Sequence, residues 1–351
     1  MIKRKKNTIR DISKHTGLSV ATVSRVINKT EKNYSKKTEK LVLEVVRKLN
    51  YTPNIIARGL KKQKTNTIGF VVPELDSYYT EIFLGAQDVA LKYKYSNFLC
   101  NTNYNLDMEK LYLENLLTRQ VDGVIFATGL LDNNLVNNFL RSGIPIVLIE
   151  SFLENPDIIN IILDNYKYSK IAVKHLFDNG YKKIGYISAP LEMQSLKDRY
   201  RGYIDALEEN KVPFNKSLVY FSNVIRGEWD LTESGKLIEK IMSKPNHPDA
   251  LFIISDTVAM AAIQIIKKMG LKIPEDVGIV GFDDRRICKY LDPSLTSVFQ
   301  PKYEIGASGM DMLIKIIEGR EIKERNIYLD MRLSIRQSSN RKFHSPPETK
   351  I

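Results

Sequence analysis

The amino-acid sequence predicts a small all-α module followed by a larger α/β body with parallel, doubly wound sheets. One observation is charge: residues 1–64 hold 18 Lys and Arg against 4 Asp and Glu, whereas the rest of the chain holds 35 against 37. The other is hydrophobic patterning, because short amphipathic segments fill the basic part and short apolar runs alternate with helix-length segments after Thr65. A chain of 351 residues can bury the cores of two or three domains.

Composition excludes several classes of protein. With 43% hydrophobic and 27% charged residues, the chain has the composition of an ordinary folded protein. Its apolar runs are shorter than the roughly 18 residues of a membrane span, and its basic start continues into polar residues instead of a signal-peptide core. We therefore expect a cytoplasmic location. Cys100 and Cys288 fit neither a disulfide framework nor a metal-ligand spacing, so we expect two core thiols and no metal site.

Three short helices are predicted in the basic module. Thr8 and Asp11 have the spacing of a capping box, Gly17 suits a tight turn, and Ser19 can cap the second helix. A third helix is predicted to start after Ser35. The side chains expected to form one small core are Val23, Val26 and Ile27 of the second helix, and Leu41, Val42, Val45, Val46 and Leu49 of the third.

The second helix leaves Val20, Ala21, Thr22 and Arg25 on or beside its outer face. Clustered positive charge next to such a face favours binding to nucleic acid, although a solvated basic tail would have the same composition. Charge alone therefore does not distinguish these two interpretations, and the arrangement of the helices has to decide. An exposed face of this kind on the second of two short helices suits a helix that reads a DNA groove.

Three segments of the module carry a family resemblance. Residues 8–12 (TIRDI), 17–28 (GLSVATVSRVIN) and 49–54 (LNYTPN) resemble the helix-turn-helix headpiece of the LacI/GalR repressor family. The resemblance implies that the helix after Ser19 lies in the DNA major groove. It implies base contacts from Val20, Ala21 and Arg25, and phosphate contacts from Thr8, Ser19, Thr22, Ser24 and Asn28. The structural alternative is that these are ordinary helix-surface residues.

The segment after the headpiece, residues 53–64 (PNIIARGLKKQK), is short and contains Gly59, so an isolated helix there would be marginal. It resembles the hinge helix of the same family, which orders in the DNA minor groove. That resemblance gives Leu60 the role of a wedge between base pairs, with Ala57, Arg58 and Lys61 beside it. The alternative is a flexible basic linker. We expect a headpiece at 1–52 and a hinge at 53–65.

Seven strands are predicted in the body from apolar runs: 68–72, 97–100, 124–126, 146–149, 184–187, 251–254 and 277–280. In open parallel sheets, ligands bind beyond the carboxyl ends of strands. Acidic, amide, arginine and aromatic side chains follow several of these runs. We therefore expect a ligand site at the sheet edges.

The body resembles the effector domain of the LacI/GalR family, which is similar to periplasmic sugar-binding proteins. Matching segments include 199–203 (RYRGY), 274–284 (PEDVGIVGFDD) and 293–298 (PSLTSV). The resemblance covers about 66–338 and implies two lobes that close over a small molecule. It implies ligand bonds from Arg199 and Asp283 and a lining of Tyr78, Tyr79 and Trp229. The further effector-site candidates are Glu150, Ser195 and Asp256.

Structural alternatives remain for these side chains. Arg199 could pair at the surface with Asp198 or Glu192, the aromatic rings could be core, and Asp256 could hold the lobe instead of touching a ligand. Chemically the set suits a sugar, because a guanidinium donates hydrogen bonds to hydroxyl groups and a carboxylate accepts them.

The sequence therefore predicts a homodimeric DNA-binding regulator, most simply a repressor that binds a near-palindromic operator and responds to a sugar or sugar phosphate. The segment 65–126 is similar to the catabolite-control branch of the family, so tuning by a phosphorylated carrier protein is an alternative, and a solute-binding protein is another. The sequence carries none of the common cofactor or nucleophile motifs, so neither catalysis nor a cofactor is expected. The tail, 339–351, is expected to be flexible.

Overall fold

The computed structural model describes residues 7–28, 33–51, 64–127, 133–222, 224–225, 228–229 and 231–341. The chain divides into two compact units, residues 1–65 and 66–351. The first unit is helical, and the second contains two six-stranded sheets and a two-stranded ribbon.

The first unit contains three helices, α1 (Ile9–Thr16), α2 (Val20–Asn28) and α3 (Lys36–Lys48). The predicted caps are confirmed. The Asp11 carboxylate accepts from the Thr8 backbone N–H at 2.7 Å, and Ser19 Oγ accepts from the Thr22 N–H at 3.1 Å. Ser35 Oγ caps α3 in the same way. Between α1 and α2, Gly17 adopts φ +67°, a left-handed conformation that glycine reaches without strain.

The headpiece core is small and apolar. Ile12, Val23, Val26 and Val42 are fully buried, and Ile27, Val45, Val46 and Leu49 pack around them. The prediction of Leu41 as a core residue is wrong, because its side chain is 41% exposed. Leu41 precedes Val42 by one position, which is about 100° around the helix, so its side chain lies outside the buried stripe.

The second unit alternates strands and helices along the chain. Its strands are β1 (Thr67–Val72), β2 (Ser96–Asn101), β3 (Gly123–Phe126), β4 (Ile146–Ile149), β5 (Ile158–Leu163), β6 (Ile184–Ser188), β7 (Val219–Phe221), β8 (Val224–Ile225), β9 (Glu228–Trp229), β10 (Ala250–Ile253), β11 (Gly278–Asp283), β12 (Thr296–Phe299), β13 (Asn326–Leu329) and β14 (Arg332–Ser334). Its α-helices are α4 (Ser77–Lys92), α5 (Leu106–Thr118), α6 (Asn133–Arg141), α7 (Asn165–Asp178), α8 (Gln194–Glu209), α9 (Leu231–Met242), α10 (Asp256–Lys268) and α11 (Lys302–Ile317).

Each six-stranded sheet forms one lobe. Lobe 1 has the strand order β13-β5-β4-β3-β1-β2 and is parallel throughout. Lobe 2 has the order β14-β12-β11-β10-β6-β7, and β14 alone among its strands runs antiparallel to its neighbour. Apolar clusters cover both faces of each sheet. This confirms the predicted doubly wound α/β architecture.

The chain crosses between the lobes three times, after β5, after β12 and after β13. All seven predicted runs are strands, with ends that match the prediction or differ from it by at most three residues. The prediction omitted β5, β12 and the short edge strands. The first two matter most, because two of the three crossings follow them.

Helices α4 and α11 make the closest helix pair of lobe 1. A Cβ at Gly85 would collide with the backbone carbonyl of Tyr303, and one at Gly306 would collide with that of Ile82. The two glycines thus let the helix backbones touch, and α11 in turn covers β3, β4 and β5. This contact fixes the orientation of α4, whose first turn reaches the edge of the sheet.

Two minor predictions are confirmed. His175 is a packing residue of α7, with Nε2 lying 2.8 Å from Ser339 Oγ, and Cys100 and Cys288 are buried free thiols. Of the helices within the described ranges, none combines the length and the hydropathy that a bilayer crossing requires.

Candidate functional site

The exposed face of α2 is the candidate nucleic-acid interface. Val20, which is 42% exposed, lies on it with Ala21 and Arg25, while Val23 and Val26 hold the opposite face against α1 and α3. An exposed valine beside an arginine offers an apolar contact and a bidentate donor, the two side-chain types that distinguish thymine methyls and guanine edges. The helix can therefore present these three side chains together.

The residues expected near phosphates have local roles in the headpiece. Ser19 Oγ and Thr22 Oγ1 lie 2.9 Å apart, and Asn28 Nδ2 donates to the Ser24 backbone carbonyl at 2.9 Å. The Thr8 hydroxyl donates to Asp11. These bonds fix the ends of α1 and α2 and leave phosphate contact by the same side chains as a prediction. The hinge predictions for Ala57, Arg58, Leu60 and Lys61 lie outside the described residues.

In lobe 1, two tyrosines meet one carboxylate at the sheet edge. Asp76 caps α4 by accepting from the backbone N–H groups of Tyr78 and Tyr79 at 2.9 and 3.0 Å, which fixes both rings in its first turn. The hydroxyl of Tyr78 lies 2.5 Å from Glu150 Oε1, and that of Tyr79 lies 2.6 Å from Glu150 Oε2. Burial raises the pKa of Glu150, and the two hydroxyl bonds oppose that rise.

Gln300, on the second crossing, connects this cluster to lobe 2. Its Oε1 lies 2.9 Å from the Tyr78 hydroxyl, and its Nε2 donates to Asp283 Oδ1 at 2.7 Å. Asp283 is 8% exposed at the end of β11. Burial raises its pKa, and the charges of Arg285, Arg199 and Lys302 oppose the rise. The structure thus brings Tyr78, Tyr79, Glu150 and Asp283 into one polar network.

Arg199 reaches the same region from the first part of α8. It is 7% exposed, and its guanidinium lies 3.7 Å from the centre of the Phe282 ring. Nε donates to Asn165 Oδ1 at 2.9 Å, and Nη1 donates to the Ile254 carbonyl at 3.1 Å. Arg199 is therefore a buried cation at the carboxyl edge of the lobe 2 sheet, and the structure rules out the surface pairing with Asp198 or Glu192.

Asp256 lies deeper, and its carboxylate is fully buried. Oδ1 accepts from Ser297 at 2.6 Å, and Oδ2 accepts from the Arg285 backbone N–H at 2.8 Å and from Cys288 Sγ at 3.1 Å. These contacts hold the turn after β11, and a Cβ at Gly281 would collide with Oδ1. The structure gives Asp256 the positioning role that the sequence left open. The neighbouring Ser255 hydroxyl is buried without a hydrogen-bond partner among the described residues.

Two cleft carboxylates stand on unusual backbone. Glu150 has φ +62° and Asp283 has φ +106°, both in the region that residues with a Cβ rarely adopt. Glu150 directly follows the inner strand β4 of lobe 1, and Asp283 is the last residue of the inner strand β11 of lobe 2. Strain of this kind persists where packing enforces it and concentrates at functional sites. The left-handed turns aim both carboxylates across the strand ends.

A direct ion pair spans the lobes beside this network. Arg285 of lobe 2 bonds Asp76 of lobe 1 at 2.6 Å and Ser77 Oγ at 3.1 Å, and its Nε lies 3.5 Å from Asp283 Oδ2. Arg285 and Gln300 were missed by the sequence analysis. The rule that placed ligand residues after strands would have found Gln300 if β12 had been predicted, and Arg285 follows the GFDD motif by one residue.

The structure does not test the cleft contacts predicted for the other two effector-site residues, Ser195 and Trp229. Ser195 is half-buried in the first turn of α8, four residues before Arg199 and so on the same face of the helix. Trp229 belongs to β9, and its predicted cleft contact lies outside what the structure describes. Over the described ranges, no group of three or more His, Cys, Asp and Glu could hold a metal ion.

Comparisons with known proteins agree with the division of the chain into a helical headpiece and an α/β body. Residues 8–54 match the model of bacterial regulatory proteins of the lacI family, and residues 173–339 match a periplasmic binding protein-like domain. The solved structure of a transcriptional regulator, CelR, in complex with cellobiose superposes with a TM-score of 0.70 at 25% identity, covering 95% of this chain and all of that one.

Two curated relatives span nearly the whole chain. Catabolite control protein A of Priestia megaterium is 34% identical over 334 residues, which is 95% of this chain and 99% of that protein. The ribose operon repressor of Halalkalibacterium halodurans is also 34% identical over 334 residues, 95% of this chain and 97% of that protein. With a helix-turn-helix headpiece, a two-lobed α/β body and relatives at this identity, the chain belongs to the LacI family of transcriptional regulators.

Proposed function

We propose that this regulator binds a near-palindromic DNA operator as a homodimer and that a sugar or sugar phosphate, bound between the lobes, switches its affinity. The observation that carries the proposal is the presence in one chain of two separate recognition surfaces. One is the exposed face of α2, with Val20, Ala21 and Arg25, and the other is the cleft network around Arg199 and Asp283. The first suits DNA and the second suits a small polar ligand.

The proposed division is a headpiece at 1–52, a hinge at 53–65, an effector domain at 66–338 and a tail at 339–351. Within it, closure of the lobes changes the distance between the hinges of two partners, and so their ability to order in the minor groove through Leu60. The effector acts by binding one of the two conformations more tightly. The chain is then a cytoplasmic DNA-binding protein, and neither an enzyme nor a transport protein.

Apolar surface supports the homodimer. On lobe 1, Leu84 and Leu91 are 44% and 61% exposed at an i, i+7 spacing on α4, and Phe98 is 41% exposed on the edge strand β2. Edge strands with exposed apolar side chains are sites of protein association. A single headpiece reads too few base pairs for a specific site, whereas two related by a two-fold axis read half-sites about one DNA turn apart.

The sugar class is supported by relatives and by chemistry. One relative is named for a ribose operon, and one solved neighbour holds cellobiose. A second candidate, tuning by a phosphorylated carrier protein, is favoured by the similarity to catabolite control protein A. Both curated relatives are 34% identical to this chain, so overall similarity does not choose between the two mechanisms.

Selection of DNA from a random-sequence library with the full-length protein tests the proposal. We expect enrichment of a near-palindrome with half-sites about one turn apart, bound by two chains per duplex. Enrichment of a single half-site, or none, would contradict the homodimeric repressor. Adding a phosphorylated carrier protein to the selected duplex then separates the two mechanisms, because only the second candidate predicts that the carrier raises affinity without any sugar.

A further inference from the structure

A chain of three short polar contacts joins a carboxyl group of lobe 1 to one of lobe 2. The Tyr78 hydroxyl lies 2.5 Å from Glu150 Oε1 and 2.9 Å from Gln300 Oε1, and Gln300 Nε2 lies 2.7 Å from Asp283 Oδ1. The two middle members, Tyr78 and Gln300, are 4% and 1% exposed. We call these four side chains the interlobe relay.

The interlobe relay has fewer hydrogens than contacts when both of its carboxyl groups are ionised. A tyrosine hydroxyl carries one hydrogen, and a glutamine amide donates at its nitrogen but only accepts at its oxygen. Tyr78 therefore supplies one hydrogen, and Gln300 supplies one hydrogen to its two contacts. The three contacts share two hydrogens. Two buried acceptors that face each other without a hydrogen leave both unsatisfied, which is costly.

Reversing the Gln300 amide does not change this shortage. With its nitrogen toward Asp283, Tyr78 donates to Gln300, and the contact without a hydrogen is the one between Tyr78 and Glu150. With its nitrogen toward Tyr78, Tyr78 donates to Glu150, and the contact without a hydrogen is the one between Gln300 and Asp283. A protonated Glu150 supplies the missing hydrogen in the first case, and a protonated Asp283 supplies it in the second. One proton therefore completes the interlobe relay from either end.

The surroundings of the interlobe relay favour keeping that proton. Burial raises the pKa of both Glu150 and Asp283, and the charge of Asp283 raises the pKa of Glu150 further. The groups that oppose these rises are Tyr78, Tyr79 and Arg199 at Glu150, and Arg285, Arg199 and Lys302 at Asp283. The other titratable groups that face the interlobe relay are Glu74, Asp76, Tyr104 and Asp256. Five carboxyl groups thus stand against three cations, so a retained proton reduces the repulsion between carboxylates.

We propose that Tyr78 and Gln300 are positioning residues that make Glu150 and Asp283 share one proton across the boundary between the lobes, so that the joined lobes are more stable in acid. The proposal goes beyond the operator-binding regulator described above, because it requires neither an effector nor DNA. Two carboxyl groups linked in this way titrate as a pair instead of separately.

Urea unfolding of the full-length protein at a series of pH values from 5 to 8 tests this. A proton that the folded protein binds and the unfolded chain does not makes the ratio of folded to unfolded protein fall about tenfold per pH unit. Glu150→Gln should remove this dependence, because its amide can donate to Tyr78 without titrating. Asp283→Asn should remove the same proton from the other end. Glu74 titrates in all of these proteins, so differences between them report the interlobe relay.

The number of protons distinguishes sharing from independent titration. If Glu150 and Asp283 share one proton, the double variant with Glu150→Gln and Asp283→Asn loses no more proton uptake than either single variant. If each carboxyl group binds its own proton, the losses of the two single variants add in the double variant. Additive losses would overturn the proposal.

Two neighbouring tyrosines distinguish sharing from burial alone. Tyr78→Phe interrupts the interlobe relay and should lower the proton uptake of the folded protein. Burial alone predicts a rise, because removing a hydroxyl that donates to a carboxylate raises the pKa of that carboxylate. Tyr79→Phe is the matched control, since the Tyr79 hydroxyl contacts Glu150 Oε2, outside the interlobe relay, at 2.6 Å. It should leave the uptake unchanged or raise it.

An uptake in Tyr78→Phe equal to or above that of the unaltered protein would overturn the proposal. If one amide variant fails to fold, the other and the two tyrosine variants still decide between the outcomes. A negative result here leaves the operator-binding regulator standing, and a failed operator selection leaves the interlobe relay standing, because the unfolding measurements use no DNA and no sugar.

Discussion

Arg285 and Asp76 join the two lobes, with 2.6 Å between Nη2 of the first and Oδ2 of the second. Asp76 also caps α4, so the ion pair holds the helix that carries Tyr78 and Tyr79 against lobe 2. The same arginine faces Asp283. One side chain therefore couples lobe closure to two elements of the cleft.

Replacing this arginine should loosen the lobes. Arg285→Met leaves Asp76 and Asp283 without their shared cation, and the pair is mostly buried, so we expect a loss of about 2 kcal/mol and a fall in melting temperature of roughly 4 °C. Thermal unfolding of the full chain measures this. Arg286→Met is the matched control, because that side chain is 84% exposed and its contact with Glu81 is 3.9 Å long. Equal effects of the two variants would contradict a specific cross-lobe role.

The close contact of α4 and α11 predicts a sharp difference between two glycines of one helix. Gly306→Ala places a Cβ on the Ile82 backbone, which side-chain movement cannot relieve, and should cost about 3 kcal/mol or more. Gly309→Ala adds a Cβ at ordinary contact distance from Ile149 and should change stability by less than about 1 kcal/mol. Urea unfolding compares them, and similar losses would mean that the helices do not touch as described.

Glu74 predicts a pH dependence of stability. Burial, and then the Asp76 charge, raise its pKa from 4.5 to about 8. A carboxyl group with a raised folded-state pKa binds its proton more tightly in the folded protein, so its contribution is largest below pH 4.5 and is lost as pH rises toward 8. Glu74→Gln should remove that loss. Free energies of unfolding at pH 5 and pH 8 test it, with the exposed Glu114→Gln as control, and an unchanged pH dependence in Glu74→Gln would refute the assignment.

Base reading by the headpiece predicts a difference between two arginines. Arg25→Ala should lose about 1–3 kcal/mol of binding to the selected operator and much less on random DNA. Arg47→Ala removes the same charge from α3 and should weaken both kinds of DNA alike. Fluorescence anisotropy on both duplexes measures this. If Arg25→Ala lost equal affinity on both, the base-reading role would be wrong.

Sequence patterns predicted the parts of the fold that depend on local signals. The caps at Ser19 and Ser35 and the buried strand 146–149 are encoded by short-range residue types and were recovered. The strand at 158–163 was missed although its first residues are apolar and buried, because the segment before it offered no helix-length spacing that marks a new βα unit.

The residues of the cleft were likewise predictable only where local patterns or the family resemblance identify them. Strand-end logic and family resemblance pointed to Glu150, Arg199 and Asp283, which the structure does place together. The pairing of Arg285 with Asp76 joins residues 209 positions apart and depends on how the lobes close, which no local pattern encodes. For Asp256, spacing identified the edge of the sheet but not the depth of the side chain.

Operator affinity with and without a bound small molecule tests the central claim most directly. The measurement is the dissociation constant of full-length protein for its selected operator, by anisotropy, at zero and at saturating concentration of whichever compound binds in calorimetry. Coupling between two sites is reciprocal and typically changes affinity by about 5- to 150-fold. The account predicts a change of at least fivefold, which Arg199→Gln abolishes at the same ligand concentration. An identical dissociation constant with the ligand demonstrably bound would contradict it.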